Sequence, residues 1–290
     1  MGRETVLTPV RWPPSAFPIF SPITGLSPGP LPPASLSLPG LGSLVTADDD
    51  LTFSSETSLP LHFTYWRAPI PSHYTLTGSS LRLNPSFLNL TAINGNYAGP
   101  LHSPPSTAPA PGAGQTFISR RQTSTLFTYS IDFSFTPDTL NSELGISAFL
   151  TQNHHLDMGI VLLPRSSATA FLEGSDTDKN PGELIPHVRI RGMSYVPVPA
   201  EVVIPVPRVW VGGELTLEVR ADNATHYVFS VGPARRVAEM REVAVWSNDA
   251  VSWGFTGVLL GAYATSNGGT GTAPGYISRW RYVNRGQVRE

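Results

Sequence analysis

Residues 126–135 read Leu-Phe-Thr-Tyr-Ser-Ile-Asp-Phe-Ser-Phe. Every second side chain is apolar: Phe127, Tyr129, Ile131, Phe133 and Phe135, with Thr128, Ser130, Asp132 and Ser134 between them. In an extended backbone alternate side chains point to opposite faces, so the five large ones share one face. A helix would scatter them around its circumference. Burying one such side chain is worth roughly 1.5–3 kcal/mol, so the strand needs a second apolar surface to lie against. An antiparallel sheet with one dry face meets that need, and the rest of the chain must supply the other sheet.

Working outward, the same period of two recurs. It places Leu144, Ile146, Ala148 and Leu150 on one face, and sets Leu215, Leu217 and Val219 against Thr216, Glu218 and Arg220. Tyr227, Phe229 and Val231 return after the Asp222-Asn223 turn, a hairpin pattern. In 276–283, Tyr276, Ser278, Trp280 and Tyr282 oppose Ile277, Arg279, Arg281 and Val283. Further strands are expected over 61–66, 74–83, 117–122, 155–163, 187–191, 195–206 and 255–265, with one short helix within 234–245. About a dozen short strands separated by turn residues predict an all-β fold, a two-sheet antiparallel β-sandwich, over residues 45–285. No fixed internal period is visible, which argues against a complete propeller.

The composition agrees. Of 290 residues 40% are hydrophobic, enough for a core, and 29 Pro with 26 Gly favour turns over long helices. The net charge of −2 makes no electrostatic case for nucleic acid or an anionic membrane as partner. With no cysteine, disulfides, thiolate zinc sites and cysteine nucleophiles are excluded. No run of about 20 apolar residues is present to span a bilayer. Residues 1–12 lack the apolar core of a secretory signal.

Ahead of the sandwich the pattern changes. Residues 5–12 read as one strand, with Val6, Val10 and Trp12 apolar, and Pro13-Pro14 follow at once. From 13 to 42 the chain is dense in Pro, Ser and Gly, which suits neither helix nor sheet interior. Residues 1–20 are therefore set apart, and residues 21–44 are read as a Pro-rich strap or linker.

Four places resemble the β-xylosidases and α-arabinofuranosidases of glycoside hydrolase family 43. Gly2-Arg3-Glu4-Thr5-Val6-Leu7-Thr8-Pro9-Val10-Arg11-Trp12 resembles the last strand of their five-bladed catalytic propeller. Leu61-His62-Phe63 with Trp66-Arg67-Ala68-Pro69, then Ser119-Arg120-Arg121-Gln122 leading to Gln152-Asn153-His154-His155, and finally Gly254-Phe255-Thr256-Gly257, resemble their C-terminal domain. The resemblance implies a concanavalin A-like jelly roll for the sandwich and a propeller-blade remnant for residues 1–20.

It also implies that the catalytic machinery lies elsewhere. Glycoside hydrolysis uses two carboxyl groups flanking the scissile bond, and in the resembled family these sit on earlier propeller blades. The chain then looks like the tail of a longer enzyme, with no catalytic residue of its own and no activity alone. Its expected role is that of an accessory domain packed on the missing catalytic propeller. The alternative is an independent carbohydrate-binding module that takes xylo-oligosaccharide. Two substrate-binding positions carry over by resemblance: Arg3, matching an arginine beside a catalytic carboxylate, and Phe255, matching an aromatic at the pocket rim. An ordinary surface arginine and a core phenylalanine are the competing readings.

Other constellations are weaker. Adjacent strand residues face opposite ways, so of His154 and His155 only His155 can share a face with Asp157. Two ligands are too few for zinc, and no metal site is assigned. Asp48-Asp49-Asp50 could give oxygens to a structural calcium, against the plainer reading of a solvated acidic turn. Trp66, Trp210, Trp246, Trp253 and Trp280 could stack on sugars or fill a core.

Overall fold

The computed structural model describes residues 8–22, 48–54, 58–91, 114–175, 180–254 and 256–288. These residues contain no α-helix. The strands, in chain order, are β1 (Val10–Arg11), β2 (Ile19–Phe20), β3 (Asp49–Leu51), β4 (Thr64–Tyr65), β5 (Tyr74–Leu76), β6 (Leu81–Leu83), β7 (Thr116–Arg121), β8 (Leu126–Phe135) and β9 (Glu143–Thr151). They continue with β10 (His154–Pro164), β11 (Leu184–Met193), β12 (Val202–Pro205), β13 (Leu215–Ala221), β14 (His226–Pro233), β15 (Arg241–Ser247), β16 (Leu259–Thr265) and β17 (Gly275–Gly286).

Two antiparallel sheets form the sandwich. One runs β12-β11-β10-β9-β16-β7-β4, the other β15-β14-β13-β8-β17-β6-β5, with β3 added to β17. The central strand β8 lies between β13 and β17 and points Phe127, Tyr129, Ile131 and Phe133 into the interior. Opposite them the other sheet presents Leu144, Ile146 and Ala148 from β9, Leu156, Met158 and Ile160 from β10, and Leu260 and Ala262 from β16. Apolar side chains from both inner faces thus fill one shared core, as sheet-on-sheet packing requires.

Several strand expectations change in detail. Residues 74–83 are a tight hairpin, β5 and β6, because Gly78 takes φ 84° and Thr77 Oγ1 caps the turn at Ser80. Residues 61–66 reduce to β4, and 195–206 to β12. The helix expected within 234–245 is instead a short 3₁₀ turn at Val237–Glu239 running into β15. Val243 and Ala244 pack on the core from that strand. In β17 a bulge between Ile277 and Arg279 breaks the simple alternation. One extra residue lets Ile277, Trp280 and Tyr282 all face inward, while Tyr276 turns out.

At the front, the strand expected over 5–12 is only β1 where it is described, and it pairs with β2. The two-residue β2 lies inside the Pro-rich stretch as an edge strand of a two-stranded pair, so the stretch supplies no sheet interior where it is described. Residues 1–7 and 23–47 lie outside the described residues.

Candidate functional site at one end of the seven-stranded sheet

The resembling motifs, spread over some two hundred residues of sequence, separate into two groups in space. The first group closes the sandwich from inside. Arg120 points between the sheets, 1% exposed, and its Nη1 donates to Asp49 Oδ2 at 2.8 Å. Its guanidinium also lies 3.8 Å from the ring centroid of Tyr282. His62 Nε2 meets the other oxygen of Asp49 at 3.0 Å, and Phe63 packs on Trp280. A buried charge must be paired; here Asp49, on β3, links both sheets through one arginine.

The acidic triplet is accordingly the entry to a strand and not a turn, with Asp49 buried and Asp48 and Asp50 exposed. Asp48 accepts from Asn284 N and Nδ2 at 2.8 and 2.9 Å, Asp49 takes Arg120 and His62, and Asp50 takes Arg279. Strand alternation sends the three carboxylates to different protein donors.

The second group gathers where β7, β9, β10, β11 and β16 end together. Arg67 lies over the Trp66 ring and donates to Gln152 Oε1 at 3.0 Å. Arg121 Nη1 donates to the carbonyl of Thr256 at 3.0 Å, and Gln122 N donates to Val258 O at 2.9 Å. These two bonds brace the chain at Thr256 and Val258. Gly254 and Gly257 both take left-handed φ, 82° and 73°. A Cβ at Gly254 would meet nothing within 4 Å, so backbone conformation and not space demands glycine there. Phe255, between them, and Arg3 both lie outside the described residues.

Beside this loop sits a group of rings. The indole Nε1 of Trp253 donates to the His154 imidazole at 2.7 Å. His154 makes edge contacts with Trp253 and Tyr195, centroids 4.5 and 4.6 Å away. Burial pushes the His154 pKa down, which favours the neutral ring, the only form with a nitrogen that can accept. Asn153 Nδ2 donates to the Tyr195 hydroxyl at 3.2 Å. Trp253 is 51% exposed and Tyr195 76%, whereas Trp210, Trp246 and Trp280 are core. Tyr195 was hidden in the sequence because residues 195–206 read as a strand, and exposure leaves no mark in a local pattern. A cleft of about 150 Å³ opens beside Trp253, lined also by Gln122, Thr125, Tyr227, Asn248 and Ser252.

His155 and Asp157 do share a face, with His155 Nδ1 and Asp157 Oδ1 2.8 Å apart. That oxygen also accepts from Ser147 Oγ at 2.7 Å, and Arg191 faces the other. Among the described residues no three His, Cys, Asp or Glu side chains converge as a metal site would need.

The profile of the beta xylosidase C-terminal concanavalin A-like domain matches residues 50–283. The chain belongs to this family. The domain is 28% identical over 283 residues to a non-reducing end alpha-L-arabinofuranosidase of Bacteroides ovatus, covering 94% of this chain and 44% of that protein. Among solved structures, a Bacteroides ovatus xyloglucan-locus family 43 protein superposes with TM-score 0.67 at 25% identity, over 98% of this chain and 47% of its own. Xylan beta-1,4-xylosidase from Bacillus halodurans C-125 gives 0.62 at 18% identity, over 97% and 47%, a likeness of fold. The chain spans less than half the length of these relatives. A role related to glycoside hydrolase family 43 and the jelly-roll reading of the sandwich both stand on this match.

Proposed function

We propose that the chain is the accessory domain of a family 43 glycosidase acting on xylan-derived or arabinose-bearing oligosaccharides, docking on a catalytic propeller and completing the rim of its sugar pocket. The observation that carries this reading is the braced loop. Arg121 and Gln122 bond to Thr256 and Val258, and Gly254 and Gly257 take left-handed φ, on the two sides of position 255, at the sheet end where the family motifs converge. In this reading Phe255 caps the pocket and narrows it, and Arg3 binds sugar hydroxyls beside a carboxylate of the propeller.

Two further features support it. The β1–β2 hairpin leaves Val10, Trp12, Phe17, Ile19 and Phe20 each exposed, apolar side chains that another protein surface would cover. The most buried carboxylates are also committed elsewhere. Glu143 accepts from Tyr263 and Asn267 at 2.8 Å each, and from Arg189 and Arg191. Its pKa is held down at about 2 chiefly by the two arginines, against burial. A glycosidase acid needs the opposite shift.

The test is a fusion. Placed behind the propeller of a family 43 enzyme in place of that enzyme's own sandwich, the chain is expected to restore hydrolysis of an aryl xyloside or aryl arabinofuranoside. Phe255→Ala in the fusion should then lower kcat/KM about tenfold, a loss of about 1.4 kcal/mol in the transition state. Unchanged kcat/KM would end the rim assignment, and turnover by the unfused chain would end the accessory one.

A further inference from the structure

We infer that the sandwich carries a sugar-binding subsite of its own, formed by the exposed faces of Trp253 and Tyr195 and the cleft beside Trp253, which takes one ring of a neutral oligosaccharide. The inference rests on the sugar-handling reading above, but it does not require the propeller.

Three observations carry it. The first is that the rings are held in advance of any ligand. Trp253 and Tyr195 lie with centroids 6.2 Å apart and planes inclined at 41°. Both rest edge-on against His154, itself 1% exposed. Their polar atoms are already engaged, the indole N–H by His154 and the phenol oxygen by Asn153. What they offer outward is apolar ring face, fixed at little further cost in side-chain entropy. Aromatic faces held this way suit the C–H face of a pyranose or furanose ring.

The second is the chemistry of the cleft. Its lining holds amides and hydroxyls, Gln122, Asn248, Thr125 and Ser252, among Leu150, Val251 and Val258, and no carboxylate, guanidinium, ammonium or imidazole. A charged ligand would be buried there without a counter-ion, a costly arrangement. These amides and hydroxyls bond within the protein, Gln122 with Ser124 and Tyr227, Asn248 with Ala224, Ser252 with Asn248 and Thr125 with Gln287, so a neutral polyol meets apolar wall together with their remaining lone pairs and N–H groups.

The third is size. At about 150 Å³ the cleft is smaller than the ~300–1,000 Å³ of drug-sized ligand sites. It accommodates a single ring, with neighbouring rings of an oligosaccharide lying across the exposed aromatic faces.

The experiment is calorimetric titration of the 290-residue chain with xylotetraose, and in parallel with an α-1,5-linked arabinotetraose. Saturable binding of either is expected, with Kd between about 10 µM and 10 mM. Trp253→Ala and Tyr195→Ala should each weaken it about tenfold or more, while Tyr195→Phe, which keeps the ring face, should stay close to the parent. Both substituted side chains are largely exposed, and near-ultraviolet circular dichroism checks that the fold persists. Absence of saturable binding to both probes would overturn the inference, as would binding that survives both alanine substitutions. Either failure leaves the docking reading standing, because that is decided by the kcat/KM of the fusion.

Discussion

The two faces of the seven-stranded sheet are made from the same strands and are both shut away from water, yet they are built from opposite chemistry. The inner face presents Ile118, Leu144, Ile146, Leu156, Met158, Val188, Ile190 and Leu260 to the second sheet. The outer face runs in rows across the strands. One row reads Arg189, Gly159, Gly145, Tyr263, Phe117, and the next reads Arg191, Asp157, Ser147, Gly261, Ser119. Apart from Arg120 and its partner Asp49, burial on the inner face needs only shape and volume. On the outer face every charge must find a partner. Glu143, 1% exposed, is the hub: it takes Arg189, Arg191, Tyr263 and Asn267.

That contrast sets the largest expected effect. Glu143→Ala strips two shielded guanidiniums of their main partner and should cost about 3–5 kcal/mol, read as a lower urea midpoint at unchanged slope. Leu144→Ala, the next residue and the inner-face counterpart, should cost about 2–5 kcal/mol by leaving a cavity. A Glu143 loss below ~1 kcal/mol would show that the arginines find water or Asp157 instead, and the two faces would then differ less than their composition implies.

Acid should act on the Glu143 network and spare the apolar rows of the inner face. The folded pKa of Glu143 lies at about 2 against an ordinary 4.5. The unfolded chain therefore binds this proton first as pH falls. The stabilisation is complete above about pH 4.5, declines below it, and is gone below about pH 2, amounting to about 3 kcal/mol in all. Glu143→Gln should flatten this limb of a pH-stability curve. A limb unchanged in the variant would assign the acid sensitivity to other carboxylates.

How far the sequence reveals these faces differs for the same reason. The inner face is legible because alternation of large apolar residues has one physical solution, and β8 of the facing sheet likewise sends Phe127, Tyr129, Ile131 and Phe133 into the core. The outer face looks, by the same rule, like the wet side of each strand. Ser147 and Asp157 are small or charged and period-two analysis sends them outward, but both are buried, as are Ser130 and Asp132 on β8 of the other sheet. Their cover and their partners come from distant strands and loops, which no local period can report. The candidate site was half legible. The Gly-Phe-Thr-Gly motif and Arg121, which bonds to Thr256, stand out in the sequence, whereas Tyr195, Asn248 and the depth at which His154 sits depend on tertiary placement. The bulge in β17 and the strand in place of a helix at 241–247 are tertiary overrides of the same kind.

The glycines of the outer face give a smaller and more local test. Gly145 and Gly159 leave room for the Tyr263 hydroxyl: a Cβ at Gly159 would lie 2.8 Å from it, 2.9 Å from Glu143 Oε1 and 3.0 Å from Leu144 O. Gly159→Ala should cost about 1–3 kcal/mol through overpacking. Combined with Tyr263→Phe it should cost less than the sum, because the two substitutions share one contact. Gly254→Ala, where space is open and only φ objects, should cost about 1–2 kcal/mol and should act on the loop alone. In the fusion it should move kcat/KM more than it moves the melting temperature. The reverse order would mean that the loop supports the fold and not the pocket.

The smallest effect belongs to a charge pair on the other sheet. Arg279 forks onto Asp50 with bonds of 2.7 and 2.8 Å, better geometry than most contacts of Glu143, and those bonds draw the Asp50 carboxyl below its usual pKa. Geometry alone would rank this pair high. Solvent reverses the ranking: Asp50 is 59% exposed and Arg279 34%, so water screens the attraction and stabilises both ions when they part. Asp50→Asn should cost under ~1 kcal/mol, and the difference should shrink further in 0.5 M salt. If it matched the cost of Glu143→Ala, burial would not be what makes the outer-face network matter, and the contrast between charge sealed in a sheet and charge left in water would fail.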